Sequence, residues 1–145
     1  MIPSEKNSFG GFWIRFAAYF VDVVVMLIPT LLISYLLHSI LPATNKSEMA
    51  LVNFIDDCVN LLVWWVYTSA FLSSAWQATP GKKICRLKVI DYSGNRISFG
   101  RATGRYFASL LSALLLFIGY LRIAFNPRRQ ALHDSIAGTL VIKAA

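Results

Sequence analysis

The first long apolar segment, Gly11 to Leu41, constrains the fold most, because it is apolar enough to enter a bilayer yet carries Arg15 near its start and Asp22 well inside. An ionisable group within a membrane span costs at least about 2.5–3.5 kcal/mol on insertion scales, so it normally has a partner or a purpose. The two positions are nearly two helical turns apart, which places them on one face roughly 10 Å apart along the axis. From its position Arg15 can snorkel to the headgroups. Asp22 is too short for that and must be protonated, paired or wetted. Tyr19 lies between them on the same face, either as a donor to Asp22 or as a packing aromatic.

The rest of the composition agrees with a membrane class. Of 145 residues, 57% are hydrophobic and 14% charged, with a mean hydropathy of +0.57. An ordinary soluble domain has about a quarter of its residues charged. The length suits one domain, 1–145, with two or three spans. A signal peptide is a poor reading of the N-terminus, because the apolar run far exceeds an h-region of about 7–15 residues. The net charge of +7 invites a nucleic-acid reading. Its placement points instead to a cytoplasmic loop beside anionic headgroups, so no nucleic-acid partner is expected.

Along the chain, a polar leader with Lys6 precedes Phe12 and Trp13, which suit an interfacial anchor. The first span is expected at about 13–37, with Pro29 kinking it. Pro42 to Glu48 reads as a loop. The second span is expected at about 57–76, its start placed between Leu51 and Asp57. Asn53, Asp57, Asn60 and Trp64 form a polar stripe on one face of it. Asn53 and Asp56 suit a wet helix end, whereas Asn60 lies deeper and is expected to hydrogen-bond another helix. Cys58 and Cys85, separated by this span, are expected to be structural and unbonded.

The segment 77–105 changes character. Thr79-Pro80-Gly81 breaks the helix, Leu87 to Ile90 has strand character, and Asp91 to Asn95 forms a turn. It carries Lys82, Lys83, Arg86, Lys88, Arg96, Arg101 and Arg105 against Asp91 alone. By the positive-inside rule it is cytoplasmic, and with two spans before it the N-terminus is too.

The third apolar segment, 106–125, is long enough to cross. Gly119, Arg122, Arg128 and Arg129 argue for a hairpin that enters the membrane and returns, because a basic tail outside would break the charge rule. The tail, 126–145, ends in a strand-like run that can pair with Leu87 to Ile90 if both are cytoplasmic. The expected fold is an all-α membrane protein: two secure transmembrane helices, a third apolar segment (re-entrant or spanning) and a small cytoplasmic β element.

Three stretches carry a family resemblance: "RFAAYFVD" with Arg15, Ala18 and Asp22, "TPGKKICRLKVID" from Thr79 to Asp91, and "RRQALHDSIAGTLVI" with Asp134. Together they resemble the RDD family of small bacterial integral membrane proteins, over nearly the whole chain. The resemblance implies a multi-pass inner-membrane protein whose family arginine and two aspartates are Arg15, Asp22 and Asp134. It also implies a largely undefined role, with transport of an unspecified ligand suggested for the family and sodium/proton exchange for some members. Arg86 departs from the pattern, since many relatives have glycine there, which bears on how closely that loop packs.

Other chemistry is poorly supported. His133-Asp134 resembles a fragment of a metal site, but further His and Asp ligands are lacking, so no metal is expected and His133 is at most a supporting polar residue. Asp134 suits an ionic anchor for the tail, with Arg15, Arg101 or Arg105 as partners. "TPGKK" lacks the first glycine and the Ser/Thr of a phosphate loop. No nucleophile sits with a base, so neither an enzyme nor a cofactor is expected. Two functions remain. One is transport by an oligomer around Asp22, since so few spans hardly enclose a path alone. The other is a non-transporting interaction protein that binds a partner membrane protein or anionic lipid through its basic loop.

Overall fold

The fold is known from a computed structural model, which describes residues 9–114 and 130–144. Two long helices dominate it, α1 (Phe12–Ile40) and α2 (Lys46–Ser73). A short α3 (Pro80–Ile84), strand β1 (Leu87–Asp91), α4 (Phe99–Leu114), a short α5 (Leu132–Ile136) and strand β2 (Thr139–Lys143) follow.

Helices α1 and α2 are both long and apolar enough to cross a membrane. Their large apolar side chains face outward: Ile28 is 75% exposed, Tyr35 70% and Phe54 65%. A soluble protein does not leave such a continuous apolar surface in water, whereas acyl chains would cover it. Helix α1 runs unbroken across Pro29, beside which the Thr30 hydroxyl donates to the Met26 carbonyl at 2.8 Å. Helix α2 begins at Lys46, well before the expected start. Asn45 caps it by accepting from the Glu48 amide at 2.9 Å, while the Glu48 carboxylate accepts from the Thr44 amide at 2.7 Å. These reciprocal bonds turn the expected loop into a helix start. Ser74 then ends α2 short of Trp76.

The expected basic loop is largely regular structure. Thr79 caps α3 with Pro80 at its first position, where the missing N–H costs nothing. Residues 99–105 form the first turns of α4 rather than a loop. Helix α4 then packs back along α2. The Trp65 indole donates to the Thr103 hydroxyl at 3.1 Å, and the Tyr106 hydroxyl donates to the Leu61 carbonyl at 3.3 Å. The rest of the third apolar segment, with Gly119, Arg122, Arg128 and Arg129, lies outside the described residues, as does the leader with Lys6.

The expected strand pairing forms. β1 and β2 are antiparallel, with Val89 opposite Val141 and Leu87 opposite Lys143. On the far side of β2, Gly10 donates to the Val141 carbonyl at 2.9 Å, and Phe9 bridges Ile142. The sheet packs against the ends of both long helices through a core of Ala18, Leu72, Leu87, Val89, Ile97, Ala102 and Val141. This core joins α1, α2, α4 and both strands, and it fixes the backbone around the buried charges.

Candidate functional site

Two carboxylates are buried where the sheet meets the helix pair. Asp134, in the first turn of α5, is fully buried. Its Oδ1 accepts from both Arg105 Nε at 2.9 Å and Nη2 at 2.6 Å, and its Oδ2 accepts from Arg15 Nη1. Oδ2 also accepts from the Ala131 amide at 3.2 Å, which caps α5. Arg15 Nε in turn donates to the Gly10 carbonyl at 2.8 Å. One carboxylate thus ties α1, α4, α5 and the N-terminal edge of the sheet together. Burial alone would raise the Asp134 pKa, but the guanidiniums of Arg15 and Arg105 outweigh it and hold the acid well below the usual carboxylate range. Arg15 is therefore a buried ion-pair partner rather than a snorkelling side chain.

His133, beside it, is buried, and burial together with the nearby cations depresses its pKa to about 3 despite the neighbouring Asp134 carboxylate. It is neutral at neutral pH, so its 3.5 Å approach to Asp134 is not an ion pair there.

Asp22 makes a separate knot. It is 3% exposed. It accepts from the Thr79 hydroxyl at 2.5 Å, the Gly81 amide at 2.8 Å and the Tyr67 hydroxyl at 2.8 Å. These donors come from α2 and α3, so Asp22 fastens α3 onto the helix pair. Gly81 is required by proximity: a Cβ there would fall 2.1 Å from the Ala18 carbonyl. The close packing of this loop thus runs through Gly81 and leaves Arg86 out. Arg86 instead adopts φ +52°, a left-handed conformation that glycine takes without strain.

The other expected site residues lie elsewhere. Tyr19 is 61% exposed and rests against the Trp64 ring at 6.3 Å, so it is not the donor to Asp22. Asn60 bonds across to α1 by donating to the Ser34 hydroxyl at 3.2 Å, and within α2 it donates to Asp56 Oδ1 at 2.9 Å. Ser34 donates to Asp56 at 2.8 Å, and His38 meets Asn53 at 3.2 Å. The polar row on α2 is therefore Asn53, Asp56 and Asn60, with Asp57 exposed. Sequence reasoning missed Tyr67 and the donor roles of Thr79 and Gly81. The only signal for the latter two was their place in the "TPGKK" motif.

A pair of membrane-length helices is therefore clamped at one end by a small sheet, with Arg15, Arg105, Asp22 and Asp134 forming the clamp. This arrangement defines a class of membrane protein rather than a soluble helical domain. The RDD family model matches residues 9–138, and the chain belongs to the RDD family. It is 36% identical to the protein YxaI of Bacillus subtilis, over 91% of this chain and 95% of that one. It is 29% identical to the membrane protein YteJ of the same organism, over 94% and 82% respectively. A proline-rich antigen homolog of Mycobacterium tuberculosis shares 27% identity over 56% of this chain and 34% of its own length. No solved structure matches.

Proposed function

We propose that the chain is a non-enzymatic, non-transporting interaction protein of the bacterial inner membrane. In this reading α1 and α2 cross the bilayer, and the lobe of sheet, α3 and α5 lies at the cytoplasmic face. There it docks a partner membrane protein, a second copy or anionic lipid. The observation that carries it is the occupation of all three family charges: Asp22 accepts three hydrogen bonds, and Asp134 holds Arg15 and Arg105. A carboxylate so saturated is a structural anchor, poorly suited to taking up and releasing ions.

The orientation rests on the basic excess in 77–105. Arg105 and Asp134 are 2.6 Å apart, which supports both lying on the same side of the bilayer. Asp22 lies about 13 Å along α1 from Trp13, and α3 packs there with Gly81 seated on Ala18, so this first part of α1 belongs to the lobe at the inner interface. Proteoliposomes test the reading through Asp22→Asn. Unchanged ion flux, or lost assembly, supports it, whereas abolished flux with assembly intact overturns it.

A second reading, cation/proton exchange by an oligomer, draws on Asp56. This carboxylate bonds Ser34 and Asn60 between the two long helices and forms no ion pair among the described residues. Ser34 lies about 18 Å along α1 beyond Asp22, so the cluster sits within the span, away from the lobe. Sodium-driven proton flux lost in Asp56→Asn would favour this reading.

A further inference from the structure

The two knots leave one cation over. Lys82, on α3, is half-buried between them, with Arg15 and Asp22 on α1, Arg105 on α4, and Asp134 on α5 as its charged neighbours. His133 beside Asp134 is neutral. Three cations thus face two carboxylates, and both carboxylates are already bonded. Lys82 enters no ion pair among the described residues. The next residue, Lys83, holds its ammonium 3.4 Å from the centre of the Trp76 ring. Beside that ring lies an apolar hollow of about 330 Å³ lined by Ala70, Phe71, Ser74, Ala75 and Trp76. Two adjacent lysines on α3, one of them over the Trp76 ring that lines an apolar hollow at the end of a membrane-length helix, are complementary to an anionic amphiphile. Free phosphate would satisfy only the charge.

We propose that Lys82 and Lys83 bind the phosphate of an anionic phospholipid, with one of its acyl chains lying in the hollow beside Trp76. This deepens the interaction reading above and rests on its membrane placement. The site has a built-in pH dependence. Burial, together with Arg105 and Arg15, pulls the Lys82 pKa down to about 8, against the opposing pull of Asp22 and Asp134. A bound phosphate favours the protonated form, so affinity falls as pH rises through that value.

The test is lipid binding by the full chain in nanodiscs, comparing phosphatidylglycerol, phosphatidylcholine and inorganic phosphate. The expected result is a preference of about tenfold for phosphatidylglycerol over phosphatidylcholine, which inorganic phosphate does not compete away. Lys82→Gln with Lys83→Gln should abolish the preference. Ala75→Phe, which fills the hollow and keeps the charge, should reduce it severalfold. The wild-type preference should also weaken severalfold between pH 7 and pH 9, a readout that needs no variant. Wild-type binding by the double lysine variant, or an unaffected Ala75→Phe, overturns the site and leaves only diffuse attraction to a basic surface. Competition by inorganic phosphate makes it a free-anion site and overturns the lipid. None of these outcomes bears on ion flux, so the non-transport reading stands or falls separately.

Discussion

Asp134 is the residue on which most of the structure converges. Replacing it with alanine strands two buried guanidiniums, and stranding a buried charge typically costs about 3–5 kcal/mol. Asp134→Ala should therefore lower the thermal midpoint in detergent sharply, or abolish folding. Exchanging the charges, Arg15→Asp with Asp134→Arg, should not restore stability, because the new side chain at 134 would face Arg105. The acid limb of stability belongs first to His133. Its folded pKa of about 3 lies below the ordinary 6.5, so the unfolded chain binds the extra proton. Stability should fall as pH drops from 6.5 toward 3, by at most about 1.4 kcal/mol per pH unit for one proton. His133→Gln should flatten that slope between pH 6.5 and 4. Asp134, also depressed, adds its loss only below the usual carboxylate range. Arg86 makes the opposite prediction: with φ +52°, Arg86→Gly relieves a left-handed backbone and should stabilise by about 1 kcal/mol, read as a raised midpoint.

Among the elements, α3 depends on the smallest residue. Gly81→Ala drives a methyl into the Ala18 carbonyl and the Asp22 side chain, so α3 cannot seat. Faster proteolysis within 74–86, with α1 and α2 still helical by circular dichroism, is the expected outcome. Equal protection in variant and wild type would count against the seating. The long helices were legible because hydropathy and length suffice to find them, and the strand pair because alternation at Leu87–Ile90 found a matching run at the tail. The start of α2 was not, since the turn-forming residues of Thr44 to Glu48 also make a helix cap, and composition does not separate the two. Charges were legible as residues but not as pairs. Arg15, Asp22 and Asp134 stood out for their cost in an apolar setting, and Arg15 and Arg105 were among the partners weighed for Asp134. The Asp22 donors stayed hidden because a tyrosine hydroxyl, a threonine and a glycine amide are unremarkable in sequence. They become significant only when α3 folds back onto α1.

Across the whole molecule, one lobe, built from residues 9–10, the basic segment and 130–143, is clamped to one end of a membrane-length helix pair. The clamp requires Leu87–Asp91 and Thr139–Lys143 to lie on the same side of the bilayer, because they share a ladder. Asp134 imposes the same condition through Arg15 and Arg105. The most direct measurement is labelling of single cysteines placed at Lys88 and at Ala144, in a Cys58→Ser, Cys85→Ser background, by a membrane-impermeant maleimide in intact and opened cells. Both positions should be protected in intact cells and react once the cytoplasmic side is opened. Labelling of Ala144 from outside with Lys88 protected would put the two strands on opposite sides, and the clamp could not exist.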